Sequence, residues 1–181
     1  MIVRPAEPED FEQVQAIYAH HVRTGLGTFE EVPPSAPDML QRFEAVRGRG
    51  LPWLVAVLDG CVAGYAYAGP FRPRAAYRFT VEDSVYVAPD ATGRGLGRAL
   101  LSGVIAHCER MGLRQMAAVI GDSDNAGSIA LHRACGFELE AILPGLGFKF
   151  GRWVDVVWMQ RALGAGPGQG PDAPGLQLHG G

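Results

Sequence analysis

The sequence predicts a mixed α/β domain. Three observations carry this: several short β-rich runs, other runs with apolar residues at helical spacing, and the interleaved order βααβββαβαββ of the two kinds.

Residues 1–4 read as a first strand, and Pro8 suits the first turn of a helix. Phe11, Val14, Ile17, Tyr18 and Val22 give that helix one apolar stripe. Residues 25–37 (GLGTFEEVPPSAP) read as a loop, and a second helix over 38–46 ends at the Gly-rich GRG. Strands are expected over 53–58 and 61–67, and the Asp59-Gly60 pair between them signals a hairpin. Another strand is expected over 80–87. A long amphipathic helix follows over 95–111, with Leu96, Leu100, Val104, Cys108 and Met111 on or near one face. A strand over 115–120, a short helix over 128–135 and late strands over 137–142 and 154–160 complete the domain. From Gly164 the chain reads GAGPGQGPDAPGLQLHGG, without apolar periodicity, so the domain is expected to be 1–163 and 164–181 a flexible tail.

At 181 residues, 48% hydrophobic and 19% charged, the chain fits one domain with an ordinary core. A net charge of -3, from 16 basic and 19 acidic residues, gives no global basic field, so no nucleic-acid partner is expected. Lys149 is the sole lysine; every other Lys/Arg position is arginine. No apolar run approaches the roughly 20 residues that span a bilayer. The N-terminus lacks the apolar stretch of a signal peptide, so no membrane association and a cytoplasmic location are expected. Cys61, Cys108 and Cys135 are widely spaced and form no CxxC pair, so neither a metal site nor a disulfide scaffold is signalled.

The most informative segment is 84–101, SVYVAPDATGRGLGRALL, a strand that runs through closely spaced glycines into a helix. Such glycines let a ligand approach the backbone, and the helix start favours an anion. Arg94 and Arg98 add charge at the same place. The spacing fails the dinucleotide fingerprint: counted from Gly93 or Gly95, the last glycine position holds Arg98 or Leu100. No GKS or GKT follows, so it is not a P-loop either. The loop is a phosphate site or a simple tightening of a strand-helix turn.

The segment Thr92-Gly93-Arg94-Gly95-Leu96-Gly97 resembles the pyrophosphate loop, Gln/Arg-x-x-Gly-x-Gly/Ala, of the GNAT superfamily of acetyl-CoA-dependent N-acetyltransferases, with Thr92 departing from the usual first residue. Asn125, Ser128, His132, Gly136 and Phe137 resemble that superfamily's second signature. The resemblance spans about 1–163. It is closer still to the phosphinothricin and methionine sulfoximine/sulfone acetyltransferases. This likeness rests on TFE (28–30), YAGPFRPRAAYRFTVEDSVYV (67–87), AVIGDSDNAGSIALHRACGF (118–137) and GFKFGRWVDVVWMQ (147–160). It implies a mostly antiparallel sheet of six or seven strands, splayed near the cofactor and flanked by about four helices. It also implies acetyl-CoA as acetyl donor, no metal, a small amino-acid-like substrate whose α-amine is acetylated, a detoxifying role and a homodimer.

An alkylamine, with pKa about 10, must lose a proton before it attacks a thioester. The resemblance assigns Glu82 as general base, with a pKa raised by burial; in a regular strand Asp83 points to the opposite face. It places Val85, Tyr86 and Val87 beside the cofactor, their N–H groups polarising the thioester carbonyl. His132 is either the acid that assists the departing thiolate or a packed histidine touching coenzyme A. Asn125 either bonds the pantetheine arm or caps the helix containing Ser128. Gly93, Arg94, Gly95, Leu96, Gly97 and Arg98 would hold the pyrophosphate. For the acceptor, Arg74 and Tyr77 match substrate-holding positions, Arg72 is a second fork for a carboxylate or phosphinate, Phe29 would cover the site and Lys149 would contribute charge. An acyl-cysteine route is not expected, because Cys108 and Cys135 read as core. Two other functions fit the same cofactor motifs: acetylation of another amine class, such as a protein N-terminus or a polyamine, and a non-catalytic acetyl-CoA-binding module.

Overall fold

The chain is described here by a computed structural model covering residues 1–178. Its elements are β1 (Ile2–Pro5), α1 (Phe11–Thr24), α2 (Ala36–Arg47), β2 (Trp53–Leu58), β3 (Cys61–Pro70), β4 (Thr80–Val87), α3 (Leu96–Arg110), β5 (Gln115–Gly121), α4 (Ala126–Ala134), β6 (Glu138–Lys149) and β7 (Arg152–Ala162). The strands form one seven-stranded sheet in the order β1-β2-β3-β4-β5-β7-β6. Every neighbouring pair is antiparallel except β4 and β5. This is the mixed, mostly antiparallel α/β architecture expected from the sequence.

Local chemistry accounts for the boundaries. Asp59 (φ 50°) and Gly60 (φ 84°) both take positive φ, as the tight β2–β3 turn requires. Ser35 and Asp38 form a capping box that starts α2, two residues earlier than its apolar stripe suggests. Strand β6 runs seven residues beyond the expected 142, because the irregular stretch between Leu143 and Gly147 is a register shift within the strand and not its end. Pro144 is tolerated there because β6 is an edge strand.

Alternating side chains of each strand pack against helices on opposite faces. Trp53 of β2 meets Phe11 of α1 and Phe43 of α2, while its neighbour Leu54 lies against Gly103 of α3. The two faces thus bury one continuous apolar core around the sheet.

Residues 164–178 do not hang free, contrary to the expected flexible tail. Leu176 is only 5% exposed within the core, its N–H donates to the Arg78 carbonyl at 2.8 Å, and Asp172 pairs with Arg114 at 3.0 Å. Leu176 and Leu178 both pack against the core, so two apolar side chains and these polar ties hold the Gly/Pro-rich segment back. The last three residues of the expected tail lie outside the described residues.

Candidate active site

Strands β4 and β5 pair only at Thr80↔Gln115, Val81↔Met116 and Glu82↔Ala117. Beyond Glu82 they part: β4 stays with β3 and β5 stays with β7. The gap opens into a cleft of about 820 Å³.

The parting frees main-chain groups. Phe71 N–H donates to Thr80 O, and Ala88 N–H to Ala63 O, which sets the phase of the β3–β4 ladder. Thr80, Glu82, Ser84 and Tyr86 therefore turn their main-chain groups toward β3. Val85 and Val87 turn theirs toward the cleft. Of the three expected donors, Tyr86 is thus committed to the ladder, a consequence of strand alternation. Val87 O already accepts from His21 Nε2 of α1 at 2.9 Å. A carbonyl can only accept, so this nitrogen carries the proton. Burial holds the His21 pKa below its ordinary value, with the Val87 carbonyl opposing.

Past Val87 the chain turns through Gly93 (φ 73°) and Gly95 (φ 80°) into α3. A Cβ built on either glycine would meet nothing within 4 Å, so both faces of the turn are open. Gly95 has no side chain to cap α3, which leaves the first-turn N–H groups available to an anion. Arg98 lines the cleft beside them; Arg94 is exposed and stands outside the lining. Leu96 is buried, and Gly97 lets α3 approach Leu131 of α4 closely. An uncapped helix start, open glycines and two unpaired strand N–H groups fit a long pyrophosphate-bearing thioester such as acetyl-CoA.

Glu82 and Asp83 point to opposite faces of β4. Burial raises the pKa of Glu82; Arg72 Nη1, 3.7 Å from Oε2, lowers it, and Asp83 adds to the rise. Asp83 is buried on the other face, where Oδ2 lies 3.0 Å from His132 Nε2. His132 Nδ1 lies 2.7 Å from Ser128 O. With an oxygen acceptor near each ring nitrogen, the surroundings favour the imidazolium. Burial alone would lower its pKa, but the Asp83 hydrogen bond and charge, with the Ser128 carbonyl, raise it. His132 lines the cleft, yet both of its N–H bonds are spent on the protein. This geometry departs from the expectation of a proton donor aimed at a leaving sulfur.

Asn125 is the N-cap of α4: its Oδ1 accepts from Ser128 N–H at 3.2 Å and its Nδ2 donates to Gly121 O at 3.5 Å. Burial pushes the Cys108 thiol up to about 12 and raises that of Cys135, the opposite of what an acyl-cysteine nucleophile needs.

Residues 14–137 match the Acetyltransferase (GNAT) family. The chain belongs to this family. It is an acetyl-CoA-using acyltransferase. Among curated proteins it is 56% identical to a phosphinothricin N-acetyltransferase of Alcaligenes faecalis, over 91% of this chain and 83% of that one. It is 40% identical to an L-methionine sulfoximine/L-methionine sulfone acetyltransferase of Salmonella typhimurium, over 90% and 95% of the two chains. Among solved structures it resembles a GNAT superfamily phosphinothricin acetyltransferase from Sinorhizobium meliloti in complex with AcCoA. That match has a TM-score of 0.91 and 48% identity over 94% of this chain and 92% of that one.

In this acetyltransferase the residues expected to hold the acceptor are placed differently. Arg72 stands beside Glu82 and over the Phe71 ring at 4.3 Å. Phe29 lines the cleft. Arg74 and Tyr77 lie in the exposed segment between β3 and β4 and outside the cleft lining; Tyr77 packs edge-on against Phe71. Lys149 corrects its expected role. It is 0% exposed, and its ammonium donates to Gly25 O at 2.9 Å and Thr28 O at 2.7 Å, leaving it no path to a substrate. Burial lowers its pKa, with Glu31 and Glu30 opposing.

His21, Gly121 and Gly147 were not singled out from the sequence. Each matters through a contact with a residue far away in the chain. The lone lysine in an otherwise all-arginine set was the one available signal for the Lys149 strap.

Proposed function

We propose that this acetyltransferase acetylates the α-amine of a small amino-acid-like acceptor of the phosphinothricin, methionine sulfoximine or methionine sulfone type. Transfer is direct, with Glu82 as general base. The observation that carries the reading is the place of Glu82: the last paired residue before β4 and β5 part, beside a cation and partly withdrawn from water.

When bound, acetyl-CoA supplies the acetyl group as an activated thioester. The cleft holds it through the first-turn N–H groups of α3, Gly93, Gly95 and Arg98, with Val85 and Val87 N–H open to a carbonyl oxygen. Glu82 takes one proton from the ammonium form of the acceptor, directly or through a water, and exposes the lone pair. The amide N–C bond forms, the C–S bond breaks, the sulfur leaves as the thiolate, and the second N–H proton passes to that thiolate or to water, which leaves a neutral amide. His132, paired with Asp83, fixes α4 against β4 beneath the cleft. Arg72 takes the acceptor's carboxylate or its tetrahedral oxygens, while Arg74 and Tyr77 serve at the rim. The names carried by the Alcaligenes and Salmonella relatives support this substrate class.

A cytoplasmic homodimer with a detoxifying role is part of the same proposal. The dimer is supported by the apolar side chains exposed along the β6–β7 hairpin, Ile142, Leu146, Phe148, Phe150 and Trp153, the last 70% exposed. No helix of the described residues is long and apolar enough to cross a membrane.

The test is thiol release from acetyl-CoA against phosphinothricin, methionine sulfoximine, methionine sulfone, unmodified amino acids, a polyamine and an N-terminal peptide. Turnover concentrated on the first three is expected. Turnover only on peptide or polyamine would overturn the acceptor class. Acetyl-CoA binding without turnover on any of them would favour a binding module.

A further inference from the structure

We propose that Lys149 is a positioning residue. It straps the 25–28 loop so that Phe29 is seated against Gly121 and Gly147 and sets the size of the acceptor end of the cleft. This rests on the amine-acetylating reading above and adds a specificity element to the same site.

The loop lies over the face of β4 that carries Glu82. Tyr86 shares that face with Glu82 by strand alternation. Its ring meets Tyr18 of α1 at 4.9 Å, and Tyr18 Oη lies 2.9 Å from Thr28 Oγ1. The glycine turn and α4 serve the opposite face, with Asp83 and His132. Phe29 therefore sits on the side from which an acceptor must reach Glu82.

Two glycines make the seat. A Cβ on Gly147 of β6 would come within 2.6 Å of the Phe29 ring. A Cβ on Gly121 of β5 would collide with the Leu26 carbonyl oxygen and approach the same ring at 3.3 Å. The loop thus rests on bare backbone at two strands, a fit no larger residue permits. Phe29 is itself 40% exposed, so its position depends on the backbone beside it and on the two glycines it rests on.

Lys149 fixes that backbone. Its ammonium joins the carbonyls at both ends of the loop, Gly25 and Thr28, and lies 4.9 Å from the Phe150 ring centre. The chain uses arginine at every other Lys/Arg position. A compact ammonium can bridge two carbonyls in a closed space where a planar guanidinium is too wide. A fully buried lysine that makes no ion pair among the described residues and anchors a cleft wall is a costly feature if the wall needs no fixed position.

The experiment is a set of four variants assayed for thiol release: Lys149→Met, Gly147→Ala, Phe29→Ala and the Gly147→Ala/Phe29→Ala double. Acceptors are phosphinothricin and methionine sulfone, and acetyl-CoA binding is measured separately by calorimetry. Lys149→Met is expected to raise the acceptor KM about tenfold or more while acetyl-CoA affinity moves less than about threefold, since a misplaced positioning wall can cost up to about 100-fold. Gly147→Ala is expected to do the same by unseating Phe29. Its effect should fall below about twofold in the Phe29→Ala background, because the two substitutions then act on one contact. Equal losses for acceptor and acetyl-CoA in Lys149→Met would overturn the proposal. So would a Gly147→Ala effect that is unchanged without Phe29, an outcome that does not depend on how well Lys149→Met folds. If the wild-type enzyme turns over only another amine, the acceptor class falls separately, and the same cycle read on that amine still decides the strap.

Discussion

Asp83 Oδ2 and His132 Nε2 lie 3.0 Å apart, 49 residues apart in sequence, and both side chains are nearly closed to solvent. This pair ties β4 to α4 beneath the cleft. It also makes stability depend on pH. The pKa of His132 is raised on folding, so the imidazolium's contribution is complete below the ordinary histidine value of about 6.5. It is lost as pH rises through the raised folded value. Thermal unfolding from pH 6 upward should show this decline. In Asp83→Asn the decline should flatten, and the variant should be about 3–5 kcal/mol less stable near pH 6, the usual cost of breaking a buried pair. An undiminished pH slope in Asp83→Asn would show that the pair is not its source.

Glu82→Gln should lower kcat by about 100- to 10,000-fold, the usual range for a general base, with acetyl-CoA binding retained. The base works only when ionised. Because burial raises its pKa, the acid limb of kcat/KM should lie above the ordinary glutamate range. Arg72 lowers that pKa, so Arg72→Met should move the limb to higher pH. The pH–rate profiles of the two enzymes decide this by the direction of the displacement.

Arg72 and Arg74 separate by place. Both are exposed and outside the cleft lining, but Arg72 Nη1 lies 3.7 Å from Glu82 Oε2. Arg72→Ala should raise the acceptor KM about tenfold or more, as for loss of a charge-assisted hydrogen bond. Arg74→Ala should have the smaller effect. Steady-state assays with acceptor varied would reverse this assignment if Arg74→Ala proved the more damaging.

Gly95 stands at φ 80° at the start of α3. Gly95→Ala should cost about 1–2 kcal/mol in backbone strain. It should also weaken acetyl-CoA binding by disturbing the first-turn N–H groups proposed to hold the pyrophosphate. Arg98→Ala should weaken the same binding and reduce its salt dependence. Calorimetric titration at two ionic strengths reads both.

Leu176 is buried against the body of the domain. Leu176→Ala should destabilise the protein by about 2 kcal/mol or more, as buried leucine truncations do. The kcat should stay near wild type, because the tail lies away from the cleft. An unchanged melting temperature in differential scanning calorimetry would mean that the tail contributes nothing.

Features legible in the sequence share one property: they are local. The Asp59-Gly60 turn, the stripe of α1 and the strand-to-helix glycine run each need only a few neighbouring residues. Strand alternation separated Glu82 from Asp83 before any partner was known. The reach of β6 past 142 is not legible locally, because a proline inside a strand is allowed at a sheet edge and the edge position is set by the tertiary structure. The burial of Lys149 is equally illegible in the sequence, because a lone cation in a motif carries no mark of it.

The sequence by itself determined the order of elements, the strand-to-helix glycine turn, the family and the face on which Glu82 stands. These follow from spacing and backbone preference over a few residues. The tertiary structure alone decided where β4 and β5 part, which of Val85, Tyr86 and Val87 face the cleft, and that His132 is held by Asp83. It alone turned Lys149 inward to strap the loop and folded residues 164–178 onto the domain. Each of these depends on groups brought together across the chain. Burial and partner geometry, which set the charge state and direction of a side chain, exist only after that folding.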